Sequence, residues 1–208
     1  MQPDYQNTTP NYSEGSTRAS KIEIWRDRLS NVFLFLGAFL VAVLVNQFVF
    51  QSYEVDGSSM SPTLHNSDRL IIVKAQRTWA SVSRSKFIPK RGQIIVFHKP
   101  NGTSDQLIKR VIGLPGERVV VKDNKITVYN AASPNGFNPD DAPYGQELPP
   151  TYGNVDVTVG PNEVFVCGDN RIPGASLDSR SILGNVPVEK IVGTLAIRYL
   201  PVGDAQKF

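Results

Sequence analysis

The chain has few of the side chains on which common catalytic and metal sites depend. Its 208 residues include one cysteine, Cys167, and two histidines, His65 and His98. A single cysteine excludes an intramolecular disulfide, and these three residues cannot supply a zinc site built from Cys and His. A histidine-based nucleophilic mechanism would have to use one of the two histidines.

The charge of the chain is nearly balanced. It has 22 basic and 19 acidic residues, which gives a net charge of +3. A nucleic-acid-binding protein would need a basic stripe with interleaved aromatic residues, and the sequence has none. We therefore expect no nucleic-acid partner, and no residue pattern predicts a metal ion or another cofactor.

A long uncharged stretch follows a polar N-terminal segment, which we expect to be disordered over residues 1 to about 20. No charged residue lies between Arg28 and Glu54, and residues 32–45 are apolar throughout. A helix of ~20 apolar residues can cross a hydrocarbon layer of ~30 Å. No small-x-small cleavage pattern follows the apolar stretch, so an uncleaved anchor at 30–50 is favoured over a cleaved secretory signal or a buried core helix.

The flanking charges predict the orientation of this anchor. Four basic residues precede it, and the next basic residue after it is Arg69; the four are Arg18, Lys21, Arg26 and Arg28. By the positive-inside tendency, residues 1–29 are predicted to be cytoplasmic and residues 51–208 to form an extracytoplasmic domain.

That outer part predicts a mostly β fold. Short runs of β-branched and aromatic residues are separated by Gly, Pro, Asp or Asn, and they lie at 69–74, 93–98, 118–122, 125–129, 163–167 and 191–200. Asp123 and Asn124 predict a tight hairpin turn. No long helical period is present, and residues 131–161 predict a surface excursion with little structure of its own.

Three clusters contain the candidate catalytic residues, and each also has a purely structural interpretation. The segment from Val55 to Leu64 contains Ser58, Ser59 and Ser61, and it could be simply a serine-rich turn. In a strand, Lys109 shares a face with Leu107 and Val111, where a buried lysine tends to lose its proton. The alternative is a lysine that extends from an edge strand into water.

The third cluster is rich in paired charges. It runs from Gly168 to Arg171 and from Ser176 to Arg180, and its four charged side chains could form ion pairs within one loop; these are Asp169, Arg171, Asp178 and Arg180.

Taken together and in order, the three clusters resemble motifs of the bacterial type I signal peptidases. The matching segments are Ser59-Met60-Ser61-Pro62-Thr63-Leu64, Lys109 through Gly116, Gly168-Asp169-Asn170-Arg171, and Ser176 through Arg180. The similarity covers roughly residues 30–200, including the anchor. It implies two joined antiparallel β-sheet domains behind one transmembrane helix.

The resemblance also implies an activity and the residues that perform it. The activity is cleavage of signal peptides from exported preproteins after small residues at −1 and −3, through an acyl-enzyme. Ser59 would be the nucleophile, Lys109 the general base, and Ser176 the residue that orients the lysine. Supporting residues would be Met60, Pro62, Asp169, Arg171, Asp178 and Arg180.

Two positions depart from the form of the motif found in many relatives. Gram-negative members often have a serine two positions before the nucleophile, where this chain has Gly57. We therefore expect backbone N–H groups, chiefly that of Ser59, to bind the oxyanion. The segment Ile172-Pro-Gly-Ala175 also makes the gap between Arg171 and Ser176 two residues longer than in the commoner form.

Other functional classes explain the sequence less well. A self-cleaving repressor with a Ser-Lys pair would need a DNA-binding head, but residues 1–50 contain the predicted anchor. A penicillin-interactive enzyme would need further motifs beside Ser83-Arg-Ser-Lys86, and none is present. An inactive paralogue or a non-enzymatic anchored adaptor would be expected to have lost Ser59 or Lys109.

We predict that neither histidine is needed for catalysis. Purified His65→Ala and His98→Ala proteins should cleave a preprotein at close to the wild-type rate, because lysine rather than imidazole is the expected base. A folded variant that had lost all turnover would instead point to a histidine-based mechanism.

Overall fold

The structure is a computed structural model, and it describes residues 15–100 and 105–208. The described residues form two compact units, which divide between Val45 and Asn46.

The first unit consists of most of one long helix, α1, which spans Gly15–Phe48. The window Asn31–Phe48 has a mean hydropathy of 2.0, and none of it is buried against protein. By length and composition it is the one helix among the described residues that could cross a membrane. The helix begins at Gly15, so the predicted disordered tail is wrong for residues 15–20, and its residues 1–14 lie outside the described part.

The second unit is mostly β, as predicted. Its larger sheet contains eight strands in the order β1-β2-β11-β3-β4-β9-β10, with β12 paired to β11. The bounds are β1 Phe50–Glu54, β2 Arg69–Val73, β3 Ile94–His98, β4 Gln106–Gly113, β9 Glu163–Cys167, β10 Val186–Pro187, β11 Ile191–Leu200 and β12 Gln206–Lys207. A short helix, α2, spans Ala75–Val82 between β2 and β3.

The smaller sheet contains four strands in the order β7-β6-β5-β8. Their bounds are β5 Arg118–Lys122, β6 Lys125–Asn130, β7 Ser133–Phe137 and β8 Val155–Thr158. The predicted hairpin between β5 and β6 is confirmed, since Asp123 and Asn124 have φ of 51° and 60°. Every strand pairing described in both sheets is antiparallel.

The two sheets share a hydrophobic core. Ile112 of β4 and Phe165 of β9 are completely buried against residues of β5 and β6 such as Val119 and Val128. A second cluster packs beneath the chain that joins β1 to β2, and it includes Met60 and Leu64. These cores hold the loops at the end of β1 and the end of β9 in fixed positions.

The expectation that residues 131–161 have little structure is wrong. They contain β7, β8 and two short 3-10 helices, Pro139–Asp141 and Pro143–Gly145. Strand β7 reads Ser-Pro-Asn-Gly-Phe, and such residues have low β-propensity. It forms at the sheet edge, where a proline can be accommodated, so pairing with β6 rather than intrinsic preference decides its conformation.

Candidate active site

The loop between β1 and β2 positions Ser59. Two backbone hydrogen bonds join the two ends of this loop, from Val55 N to Asp68 O (2.9 Å) and from Ser67 N to Val55 O (2.8 Å). Met60 is buried in the core directly after the half-buried Ser59, so the serine is held at the surface by its neighbour. Gly57 has φ of +97°, a conformation that favours glycine.

Strand β4 positions Lys109. Its register with β3 places Ile95 opposite Lys109 and Phe97 opposite Leu107, which is the alternation expected from the sequence. The lysine side chain is buried, with 2% of its surface exposed. Its Nζ lies 2.6 Å from Ser59 Oγ and 2.7 Å from the carbonyl oxygen of Ile108.

The environment of this amine favours its neutral form. Burial lowers the pKa of Lys109 to about 8. The carboxylates of Asp178 and Asp169 act in the opposite direction, because negative charge nearby stabilises the ammonium, while the Arg180 guanidinium lowers the pKa further. The amine therefore loses its proton near pH 8, where an exposed lysine stays charged.

The loop after β9 holds the backbone on both sides of Ser59. Asn170 N donates to Ser59 O at 3.1 Å, and Asn170 Nδ2 donates to Ser58 O at 3.2 Å. A Cβ on Gly168 would lie 2.3 Å from Ser59 O and 2.2 Å from Ser176 Oγ. Only glycine at position 168 therefore allows the two loops to approach this closely.

Asp169 and Arg110 form a buried ion pair beneath the serine loop. Arg110 Nε lies 2.8 Å from Asp169 Oδ1, and Arg110 Nη2 lies 2.5 Å from Oδ2. Thr63, which follows the exposed Pro62, donates its hydroxyl to the same carboxylate at 2.5 Å. Arg110 also stacks on Tyr144, with its guanidinium carbon 4.5 Å from the ring centre.

Arg171 does not pair within its own loop. Its guanidinium binds Asp140 through two hydrogen bonds of 2.7 and 2.9 Å, and it donates to Thr151 at 2.5 Å. Both partners lie in the segment 131–161, which the sequence indicated to be irregular. This segment is therefore part of the support of the site.

Asp178 and Arg180 do pair with each other, as the spacing suggested. Arg180 Nη2 lies 2.7 Å from Asp178 Oδ2, and Gly168 N donates to the same oxygen at 2.9 Å. Burial acts to raise the pKa of Asp178, but these donors outweigh it and hold the pKa below its usual range. Asp178 therefore stays ionised beside the lysine.

Ser176 lies beside Gly168 and near the backbone oxygen of Ser59, since a Cβ on Gly168 would meet both Ser176 Oγ and Ser59 O. Its Oγ is buried and makes no hydrogen bond of good geometry with any described residue, although it is close enough to the Asp178 carboxylate to help lower its pKa. The described partners of Lys109 Nζ do not include it. An orienting contact between Ser176 and Lys109 therefore stays a prediction.

Two cavities adjoin this region. The one that contains Ser59 and Lys109 has a volume of about 130 Å³. It is lined by Tyr53, Glu54, Val55, Asp56, Leu70, Val96, Gln106, Leu107 and Ile108 together with the serine and the lysine. A larger cavity of about 720 Å³ lies beside Thr63, Arg110 and Tyr144 and contains neither of the two reactive groups.

Several residues of the site were missed from the sequence. Thr63, Arg110 and Asn170 lie inside the quoted motifs, so a hydrogen-bonding role could have been suspected for each. Asp140 and Thr151 lie in a segment with no motif, and nothing local marks them. Among the described residues, no group of three His, Cys, Asp or Glu side chains is placed to hold a metal ion.

Comparison with known families identifies the group to which this geometry belongs. Residues 28–200 match the family model described as signal peptidase, peptidase S26. The chain belongs to the signal peptidase family. The predicted enzyme class, a serine endopeptidase of the signal peptidase I kind, is thereby confirmed.

Individual relatives agree with this family. Over 178 residues the chain is 34% identical to "Signal peptidase I" of Bacillus amyloliquefaciens, with 82% of this chain and 86% of the relative covered. It is 36% identical over 170 residues to "Probable signal peptidase I-2" of Synechocystis sp., with 79% and 70% covered. A solved signal peptidase I from Enterococcus faecalis is 28% identical, with a TM-score of 0.41, and covers 54% of this chain and all of that chain.

We predict that removing one partner of the buried pair between Arg171 and Asp140 is strongly destabilising. Asp140→Asn should lower the free energy of unfolding by about 3 kcal/mol, because the fully buried Arg171 would lose its counter-charge. Denaturant titration of the full chain in detergent measures this change.

The pair between Arg118 and Asp156 supplies a matched control. Arg118 Nη2 lies 2.5 Å from Asp156 Oδ2, a distance similar to that in the Arg171 pair, but about half of each side chain is exposed. Asp156→Asn should leave the unfolding transition unchanged. Equal effects of the two substitutions would show that burial of the Arg171 pair contributes nothing.

Proposed function

We propose that this chain is a membrane-anchored serine endopeptidase that removes N-terminal signal peptides from exported preproteins, with Ser59 as nucleophile and Lys109 as general base. The observation that carries the proposal is the 2.6 Å separation of Lys109 Nζ and Ser59 Oγ around an amine whose pKa is lowered to about 8. Membership of the signal peptidase family supports the substrate class.

The chemistry follows from the neutral amine. Lys109 Nζ accepts the hydroxyl proton of Ser59 as Oγ attacks the carbonyl carbon of the scissile peptide bond. The resulting ammonium returns this proton to the departing amine, which leaves an ester between Ser59 and the signal peptide. Lys109 then takes a proton from water as the water oxygen attacks the ester carbon. The bond between that carbon and Ser59 Oγ breaks, the Lys109 ammonium returns the proton to Oγ, and the signal peptide leaves with a free carboxyl group.

Backbone N–H groups are proposed to stabilise the oxyanion. No described residue accepts a hydrogen bond from the Ser59 N–H, so this donor is available to a substrate carbonyl oxygen. One such donor contributes on the order of 3 kcal/mol to the transition state in other hydrolases. The positive φ of Gly57 shapes the turn that leads into this group.

The cleft suits an extended peptide with small side chains. Strand β9 pairs with β4 only from Arg110 onward, so one edge of Gln106–Lys109 is free, and β1 is an edge strand. A peptide can add to such edges through backbone hydrogen bonds. The cavity of about 130 Å³ is far below the size of typical ligand pockets, which supports selection of small residues at −1 and −3.

Helix α1 is proposed to anchor the enzyme. The apolar window Asn31–Phe48 has the length and composition of a membrane span. The basic residues that precede it favour a cytoplasmic segment 1–29, an anchor at 30–50 and an extracytoplasmic catalytic domain at 51–208. Ser176 is proposed to orient Lys109, and Asp169, Arg171, Asp178 and Arg180 to support the site together with Met60 and Pro62.

We predict that Ser59 and Lys109 are both essential. Ser59→Ala and Lys109→Ala should each abolish cleavage of a model preprotein by the full chain in detergent, because one removes the nucleophile and the other its base. The cut site is mapped by mass spectrometry of the wild-type products.

Neighbouring residues supply matched controls. Ser58→Ala removes the adjacent exposed hydroxyl, and Lys125→Ala removes a lysine on the hairpin between β5 and β6; both should retain activity. Circular dichroism confirms that every variant is folded. Near-normal cleavage by Lys109→Ala would exclude lysine as the base.

We also predict how the rate depends on pH. The neutral amine is the active form, so kcat/KM should fall as pH decreases below about 8, where the amine of Lys109 gains a proton, and should level off above it. Asp178→Asn removes a charge that raises the pKa of Lys109, and the midpoint should move to lower pH. A rate that does not change with pH across the wild-type midpoint would contradict the assignment.

A further inference from the structure

Helix α2 exposes two large apolar side chains that no protein contact explains. Ala80 is its buried residue, whereas Trp79 and Val82 are each 74% exposed. The two lie three positions apart and therefore share one face of the helix. Scattered apolar residues are normal on a protein surface, so the position of this pair in the fold decides whether it has a role.

Hydrogen bonds tie α2 to the residues at which α1 ends. Lys74 Nζ donates to Gln47 O at 2.6 Å, and Thr78 Oγ1 donates to Phe48 O at 3.0 Å. All four residues belong to the unit 46–208. The apolar window Asn31–Phe48 has 18 residues, which at ~1.5 Å per residue give about 27 Å, close to the thickness of a hydrocarbon core.

The first turn of α2 is therefore hydrogen-bonded to the last residues of this apolar window.

The chain around α2 is basic. From Arg69 to Pro100 there are eight basic residues and no acidic residue, and three of the eight pair with carboxylates outside this stretch: Arg69, Arg91 and Lys99. Arg77 and Lys86 donate to uncharged acceptors, the backbone oxygen of Glu189 and the side chain of Asn162, and neither forms an ion pair with a carboxylate of the described residues. Arg84 is exposed as well. Basic side chains beside a membrane span are attracted to anionic lipid headgroups.

We propose that α2 is an interfacial helix that inserts Trp79 and Val82 into the headgroup region of the bilayer beside the span, with Arg77, Arg84 and Lys86 supplying positive charge that attracts anionic lipid. The proposal rests on the membrane anchoring proposed above. Tryptophan is enriched at this depth, and amphipathic helices with basic flanks lie in the interface. Two side chains are too small an area for a stable protein interface, which needs about 800 Å² from each partner.

The chain offers a direct reporter, because Trp25 and Trp79 are its only tryptophans. The full-length Trp25→Phe protein is reconstituted into vesicles of phosphatidylcholine and phosphatidylglycerol, with bromine-labelled lipid as one quencher and aqueous iodide as the other. We expect the emission of Trp79 to be quenched by the lipid and protected from iodide. Ready quenching by iodide without quenching by lipid would overturn the proposal, and would be the outcome if α2 contacts another protein instead.

Matched variants in the Trp25→Phe background separate insertion from general surface effects. Val82→Ser should reduce the lipid quenching of Trp79 several-fold, whereas Val202→Ser, which removes a valine that is 76% exposed elsewhere, should not. Arg84→Ser should lower, about fivefold, the ratio of lipid-quenched to unquenched Trp79 in vesicles that contain phosphatidylglycerol, because it removes one basic side chain that attracts anionic lipid. Lys122→Ser on the β5–β6 hairpin should have no effect. Equal effects of each variant and its control would contradict the assignment of the helix.

One further protein tests the anchoring on which the proposal rests. Phe39→Trp in a Trp25→Phe and Trp79→Phe background places the only tryptophan within the apolar window of α1. Quenching by bromine deep in the acyl chains shows that α1 spans the bilayer. If this tryptophan is quenched and Trp79 is not, anchoring holds and the interfacial helix is excluded; if neither is quenched, the anchoring itself fails.

Discussion

The rest of the catalytic arrangement depends on the contact between the Lys109 amine and the Ser59 hydroxyl. Burial removes water from the amine and lowers its pKa, but two buried carboxylates nearby, Asp169 and Asp178, raise it again. A direct ion pair with either would keep the lysine charged. Each carboxylate is instead hydrogen-bonded to an arginine, Asp169 to Arg110 and Asp178 to Arg180, so the amine is left facing the hydroxyl.

The same ion pairs determine the shape of the site. Arg110 and Asp169 join β4 to the loop after β9, and Thr63 of the serine loop shares their carboxylate. Arg171, in the same loop after β9, is hydrogen-bonded to Asp140, which follows β7 of the smaller sheet in the chain. Buried pairs of this kind gain little net stability relative to apolar packing, but losing one partner is costly. They therefore hold the serine loop, the loop after β9 and the segment that contains Asp140 in one arrangement.

Much of the fold could be predicted because its signals are local. The apolar window of α1, the runs of β-branched and aromatic residues in β2, β3 and β9, and the Asp-Asn turn each depend on adjacent residues. Strands β7 and β8 and helix α2 could not be predicted in the same way. Proline, asparagine and glycine in β7 have no preference for extended structure, and α2 is only eight residues long. Pairing with β6 decides the conformation of β7, and packing decides that of α2.

The sequence by itself determined the long apolar segment, the β-rich class and the motifs that identify the family, because each is a property of neighbouring residues. Only the tertiary structure decided that Ser59 and Lys109, fifty positions apart, lie 2.6 Å from each other. It also decided that Asp140 pairs with Arg171 across 31 positions and that α2 contacts the end of α1. Such distances follow from strand register and from the packing of two sheets around one core, and no pattern of adjacent residues encodes them.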